Sequence, residues 1–343
     1  LEITDWVGFA GRRAESEARG LKRGLGISSY IESSSGAPRE RAEIVVSGNR
    51  TVEVVIGTQS SGQGHETSFC QVAAEWLGVP FDTVTLKQGD TAFVSVGGGS
   101  HSGRSMRMAG TVIVMAGDIL IEKGKRLAGL VLEAATSDID FVDGAFTIKG
   151  TDRTIGMFEL AAAIEDRTDL PKDLQDGLSS EAENVMRTPA FPYGTHICEV
   201  EIDPETGALS LDRYGCVDDV GRVINPIIVD GQIQGGIVQG AGEALFEDFV
   251  FDPKTAQPLT ATLMDYCLPR AMDMPYFTTE CHEVLTPMNP LGIRSGGEAG
   301  TTPAPGAILN AVVDALKDYG VRDVEMPATP LRIWEAIQGG GAK

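Results

Sequence analysis

Three segments combine glycine, serine and a few polar side chains in a pattern suited to a polar ligand: GTQSSGQGHET at 57–67, VGGGSHSGRS at 96–105 and GIRSGGEAGT at 292–301. Each runs into a stretch with helical periodicity. The first N–H groups of a helix have no partner within it and carry the positive end of its dipole, so a glycine loop entering a helix favours an anion. A polyphosphate, or another extended polar cofactor, is the ligand class these loops suit. No Gly-Lys-Ser/Thr occurs, and Gly62 and Gly64 lack a third glycine three residues on, which disfavours nucleotide hydrolysis and a dinucleotide fingerprint. Gln63 and Gln232 each sit among glycines, and an amide that both donates and accepts suits a heterocycle or a neutral oxo group. Glu298, between Gly297 and Ala299 at a helix start, either caps that helix or, in a closed apolar site, acts as a general base.

Other chemistries fit less well. His65 and Glu66 suggest a zinc motif, but Phe69 stands where HExxH needs histidine, and the four histidines (His65, His101, His196, His282) show no paired spacing. No Gly-x-Ser-x-Gly elbow is present. The acidic pairs Asp218-Asp219 and Glu199/Glu201 are expected to be solvated or loop-capping. Five scattered cysteines without a Cys-x-x-Cys pair suggest reduced thiols and a cytoplasmic setting, and give no basis for an iron–sulfur cluster or structural zinc in this chain. Electrons, if they move here, must leave through a partner.

The elements that must position these residues follow from pattern. With 343 residues, 42% of them hydrophobic, the chain can bury a large core without disulfide or metal. Its 49 acidic against 28 basic residues give a net charge of −21, which disfavours nucleic acid and anionic membranes as partners. No apolar run reaches the roughly 20 residues of a membrane span. The spacing predicts a surface helix over 5–22, a strand over 26–32, a hairpin over 41–59 turned at Ser47-Gly48-Asn49 and a helix over 65–77. A strand over 80–88, a long apolar helix over 111–132, short strands over 139–148 and a helix over 156–165 follow. Polar residues 166–192 read as a boundary, so one unit is expected over 1–170 and a second over 171–343. The second repeats the outline, with a hairpin (HICEVEID, ALSLDRYGCVDD), a glycine-interrupted helix from residue 224, strands over 259–265 and 277–284, and a helix from Pro305. The expected fold class is α+β, two units of mixed sheet packed against long helices, with a ligand at their interface. The start at Leu1 rather than Met suggests a processed chain or a piece of a longer one.

GQGHET, GGGSHSGRSM, VDDVGRVINPIIVDGQIQGG, LMDYCLPRAMDMP, GGEAGTTPAPGAILNAVVDAL and MPATPLRIWEAI, in that order, together resemble the molybdenum-binding large subunit of the xanthine dehydrogenase and aldehyde oxidase family, on the side of its carbon monoxide dehydrogenase-like bacterial branch. The resemblance covers essentially the whole chain and corresponds to the C-terminal half of that subunit. It implies a molybdenum cofactor-binding domain pair and a molybdenum–molybdopterin cofactor, commonly the cytosine dinucleotide form in bacteria. Gly62, Gln63, Gly64, Ser100, His101, Ser102, Gly103, Arg104, Ser105 and Gln232 match cofactor-contacting positions, and no residue of this chain is implied as a metal ligand.

Glu298 matches the family's catalytic glutamate, which takes a proton from a hydroxyl on molybdenum while its water-derived oxygen attacks an electron-poor carbon and hydride passes to a sulfido ligand. The resemblance further implies small-molecule substrates such as aldehydes or aromatic N-heterocycles. It implies a hetero-oligomer with the N-terminal half of the large subunit and with partners carrying [2Fe-2S] clusters and FAD. The sequence departs from the family pattern at Arg294-Ser295, where Lys-Gly is usual, and at Ser29, where xanthine-type enzymes carry a ring-stacking Phe. A non-catalytic cofactor-binding or assembly subunit of such a complex is the alternative function, and an acidic α+β hydrolase is a weaker third.

Overall fold

A computed structural model describes residues 4–339. A 3-10 turn at Trp6–Gly8 leads into α1 (Phe9–Ala18), β1 (Lys22–Ile31), β2 (Arg39–Ser47), β3 (Thr51–Ile56), α2 (His65–Leu77), β4 (Val84–Lys87) and the long α3 (Ser105–Val131). Next come β5 (Ile139–Val142), β6 (Ala145–Ile148), β7 (Thr154–Gly156), α4 (Met157–Ile164) and β8 (Ser179–Val185). The chain continues through β9 (Tyr193–Ile202), β10 (Leu209–Asp219), α5 (Pro226–Leu245), β11 (Phe277–Cys281), α6 (Ala304–Leu316) and α7 (Pro330–Gly339).

The strands form two four-stranded sheets, ordered β4-β3-β2-β8 and β1-β9-β10-β11, and a small sheet β5-β6-β7. Both large sheets are mixed, because β3–β4 and β10–β11 run parallel and the other pairs antiparallel. Alternation decides what each sheet buries. Ile44, Val54 and Ile56 point into a core shared with Phe69 and Leu77 of α2 and with Val112, Ile113 and Leu120 of α3. Val200 and Ile202 of β9 share the second core with Ile233 and Ile237 of α5 and with Ile308 and Val312 of α6. The α+β expectation of two mixed-sheet units against long helices describes this arrangement.

The expected division at 170/171 does not follow the strand pairing. β1, counted with the first unit, pairs along its whole length with β9, Lys22 opposite Ile202 and Ile31 opposite Tyr193. β8, which the polar boundary segment hid, closes the other sheet beside β2. The segment expected as a strand over 259–265 is turns and bends instead. Its apolar residues face outward, with Leu263 78% and Met264 92% exposed.

Glycines explain how β1 reaches its place. A Cβ on Gly24 would stand 1.9 Å from the Ala311 carbonyl oxygen, and one on Gly26 2.0 Å from that of Ala307, so α6 lies on bare strand backbone. A valine at Gly26 must push helix from sheet, and overpacking of this kind costs about 1–3 kcal/mol or more. The expected result is a lower unfolding midpoint for Gly26→Val, read by thermal denaturation. A substitution without loss would mean that α6 is free to shift.

The expected helix over 5–22 shortens to α1, and charge rather than apolar burial attaches it. Arg12 reaches Glu199, Arg13 binds Asp314, and Ser16 donates to Glu201 at 2.7 Å. Arg23 of β1 joins from below, 3.0 Å from Glu199. Glu199 is therefore buried and paired, not solvated. The five cysteines are free thiols. Among the described residues no helix is long and apolar enough to cross a membrane.

Candidate active site

The three glycine segments meet at one cavity of about 240 Å³ between the two sheet-and-helix units. Gln63 and His65 enter from the start of α2, Ser100 to Gly103 and Ser105 from the approach to α3, Asn225, Ile228, Val229 and Gln232 from α5, and Ser295 to Glu298 from the loop before α6. Of the candidates, Gln63, Ser100, His101, Ser102, Gly103, Ser105, Gln232 and Glu298 thus come together. Gly62, Gly64 and Arg104 are not part of the lining. Gly62 and Gly64 serve the backbone, at φ 108° and 76°, and Gly64 is the N-cap of α2.

Close backbone approaches set the walls. A Cβ on Gly103 would lie 2.2 Å from Ser295 Oγ, so glycine lets the 96–105 loop meet the 292–301 loop. A Cβ on Gly300 would lie 2.1 Å from the Ile233 carbonyl oxygen, which seats the Glu298 loop on α5. Glu298 is fixed through its carbonyl, which accepts from Thr302 N–H at 3.1 Å and Thr302 Oγ1 at 3.0 Å. Ahead of it, Arg294 N–H donates to Val220 O at 2.8 Å, and its guanidinium lies 2.9 Å from Asp219. The departure from Lys-Gly at 294–295 therefore gives an arginine that latches the loop to β10.

Arg104 does a different job from the expected ligand contact. It is fully buried, pairs with buried Glu40 at 2.8 Å, and donates to the carbonyls of Ala37 and Arg39 and to Thr58 Oγ1. Its guanidinium is consumed by protein and shapes the loop whose other residues line the cavity.

Two lining side chains have polar atoms that are buried yet lack a hydrogen-bond partner: His65 Nδ1 and Ser295 Oγ. Both atoms are shielded from the cavity itself and belong to its walls, where such unpaired groups are costly. Burial pushes the His65 pKa down to about 4, so its ring is neutral at neutral pH and stacks on Phe69 at 4.4 Å. Arg222 puts one guanidinium on the lining, and Met106, Val220, Ile224 and Ile293 give it apolar patches. Gln amides, serine hydroxyls, two helix N-termini and an arginine form the donor set that an extended heterocycle with phosphates requires.

Sequence reasoning missed Glu32. It follows β1, its N–H donates to Pro192 O at 2.9 Å, and its Oε2 is buried without a hydrogen-bond partner. Burial first and the Glu298 carboxyl second push its pKa up to about 8. No local signal marks it, because its partner comes from the far end of the chain. Asp218, expected to be solvated, is also buried: it accepts from Tyr30 at 2.9 Å and lies 3.2 Å from His196 Nε2. Cys216 adjoins this cluster, but both His196 ring nitrogens are already engaged, Nδ1 with Tyr214 Oη at 2.8 Å.

Comparison with known proteins gives these residues a context. Residues 1–275 match the molybdopterin cofactor-binding domain. The chain is similar to the 6-hydroxypseudooxynicotine dehydrogenase complex subunit gamma of Paenarthrobacter nicotinovorans, 37% identical over 99% of this chain and 43% of that protein. It is likewise similar to the carbon monoxide dehydrogenase large chain of Hydrogenophaga pseudoflava, 31% identical over 98% and 44%. The crystal structure of quinoline 2-oxidoreductase from Pseudomonas putida 86 superposes with a TM-score of 0.89 at 34% identity, over 98% of this chain and 44% of that one. The chain spans less than half the length of the relatives it matches.

Proposed function

From a chain that belongs to the molybdopterin cofactor-binding family of molybdenum hydroxylase large subunits, we infer that the cavity is half of a molybdenum hydroxylase active site. The observation that carries this reading is the convergence of the three glycine segments on one cavity whose lining is rich in amide and hydroxyl side chains, Gln63, Gln232, Ser100, Ser102 and Ser105 among them. A molybdopterin bound there supplies the two-electron redox chemistry that amino-acid side chains lack. Gln63 and Gln232 would hold its heterocycle. The serines of the 100–105 loop, the N-terminal ends of α2 and α3, and Arg222 would hold phosphate, in keeping with a cytosine dinucleotide form.

This chain's own part in the reaction is proton transfer and orientation. Glu298, at the mouth of α6, would accept a proton at its carboxylate as substrate is hydroxylated. Met106, Val220 and Ile293 exclude water around it and present an apolar wall to a small substrate. Aldehydes and aromatic N-heterocycles fit that wall, and the names of the relatives lean toward N-heterocycles. Electrons would leave to partner subunits carrying [2Fe-2S] and FAD. The outward-facing apolar residues between α5 and β11, Phe249, Phe251, Leu263, Met264, Met272 and Tyr276, would seat the remainder of the large subunit.

Elemental analysis of the complete native complex tests the reading. Near-stoichiometric molybdenum is expected, together with iron on a partner chain, and Gln232→Ala is expected to lower the molybdenum content. An intact complex without molybdenum would overturn it.

A further inference from the structure

One side chain of the cavity lining touches both units at once. Asn225 precedes Pro226, the first residue of α5, and holds the extended backbone that a residue before proline adopts, φ −136° and ψ 109°. From there its Oδ1 accepts from Ile228 N–H at 3.1 Å and its carbonyl accepts from Val229 N–H at 3.0 Å, so it caps the helix that carries Gln232. The cap fixes which way the amide points. With Oδ1 engaged by α5, Nδ2 faces the other unit and donates to Gln71 Oε1 of α2 at 3.0 Å.

Helix α2 buries its apolar face in the first core and α5 in the second, so this amide pair crosses between the units beside the cavity, which Asn225 itself lines. The segment before α5 is shaped for that crossing. Gly221 bridges to Ile293, Arg222 N–H donates to Gly292 O at 3.1 Å, and Arg222 Nε donates to Leu291 O at 2.8 Å. Ile224 and Leu291, from these two paired segments, pack against the first core, and Gly110 of α3 makes room for Leu291, since a Cβ there would lie 2.8 Å from Leu291 Cδ1. Gly64, the N-cap of α2, likewise lets the helices approach, because its Cβ would lie 2.8 Å from Ile228 Cδ1. Gln63 stands just before α2 and Gln232 lies within α5, so the placement of one helix against the other sets the distance between these two lining amides.

We propose that Asn225 is a positioning residue that sets the spacing of the two cavity walls: with one end of its amide it caps α5, with the other it holds Gln71 of α2, and it thereby keeps Gln63 and Gln232 at a separation that one ligand spans. This rests on the reading of the cavity as a cofactor site. A ligand gripped from both sides binds more weakly when the walls must first be brought to the right spacing, because that ordering then opposes binding. The net worth of one hydrogen bond corresponds to about fivefold in a binding constant.

The experiment uses the complete, cofactor-loaded subunit and the difference between an amide, which donates and accepts, and a carboxylate, which only accepts. Asn225→Asp keeps the cap and lets the Gln71 amide turn and donate, and Gln71→Glu keeps an acceptor for Asn225. Each alone is expected to lose molybdenum at close to the wild-type rate after dilution. Gln71→Met removes the acceptor without adding charge and is expected to lose molybdenum about fivefold faster. Asn225→Asp/Gln71→Glu sets two carboxylates against each other and is expected to lose it faster still. Hydrogen exchange of the same samples gives a readout apart from the cofactor: exchange over residues 226–232 of α5 is expected to rise in Gln71→Met and in the double variant, although the change in Gln71→Met lies on α2. A role confined to capping α5 would leave that exchange unmoved. The proposal falls if Gln71→Met keeps either molybdenum retention or α5 exchange at the wild-type rate. It falls equally if the effect of the double variant is the product of its singles, which is the signature of added charge alone. If Gln71→Met does not fold, the two single acids and their combination decide. Gln232→Ala separates this proposal from the reading beneath it: a variant that keeps its molybdenum would remove the cavity as cofactor site, while α5 exchange in the Gln71 variants still reports the link between the helices.

Discussion

Glu298→Gln in the complete subunit is expected to leave molybdenum in place and lower turnover by about 10²–10⁴-fold, the range over which a positioned general base contributes. The substitution changes almost nothing in the fold. The loop around residue 298 is held by backbone bonds and small residues: Thr302 binds the Glu298 carbonyl, Thr301 Oγ1 donates to Gly236 O at 3.0 Å, and Gly300 lies on Ile233. None of these needs the carboxylate. Glutamine keeps the size, but it cannot take up a proton at neutral pH. Steady-state kinetics beside molybdenum content therefore separates two roles. Loss of turnover with cofactor retained supports the base, and normal turnover with impaired assembly favours a binding or assembly subunit in which Glu298 serves structure.

What the sequence reveals of this site depends on how local the signal is. Helix α2 is legible because Phe69, Val72, Ala73 and Trp76 share one face and Gly64 stands before them, and the structure has that helix over His65–Leu77. The β2–β3 hairpin is legible from alternation and its Ser-Gly-Asn turn. β1 is legible over 26–31, but its first residues, 22–25, are missed because its partner lies far along the chain and its glycines, chosen for contact with α6, suggest breaks. β8 is missed because SSEAENV buries only Ala182 and has no apolar alternation. The false strand over 259–265 reflects apolar residues that face outward instead of into a core. Among the site residues, Gln63, Gln232 and Glu298 announce themselves as polar side chains among glycines. Arg104 sits in the same kind of loop but turns inward, a direction that loop composition does not encode. Glu32 lies in an ordinary serine-rich stretch and gains its chemistry only when Glu298 arrives beside it.

The second large effect is on stability, and it centres on the Arg104–Glu40 pair under the 96–105 loop. Both side chains are almost wholly buried, and they meet at 2.8 Å. Glu40 also accepts from Thr58 Oγ1 at 2.6 Å and from Arg41 N–H at 3.2 Å, while Arg104 reaches the carbonyls of Ala37 and Gly99. This network ties together the start of β2, the loop after β3 and the entry to α3. Removing one partner leaves a buried charge alone, which costs about 3–5 kcal/mol, far more than losing an exposed pair. Arg104→Met and Glu40→Gln are each expected to lower the unfolding temperature sharply and to raise hydrogen exchange across residues 96–105. The double variant Arg104→Met/Glu40→Met should cost less than the sum of the singles, because it removes both charges at once. Additive losses would mean that the two side chains act separately. If exchange in the loop stays unchanged, the pair holds the core but not the cavity wall, and the serines at 100, 102 and 105 owe their placement to the contact between Gly103 and Ser295 instead.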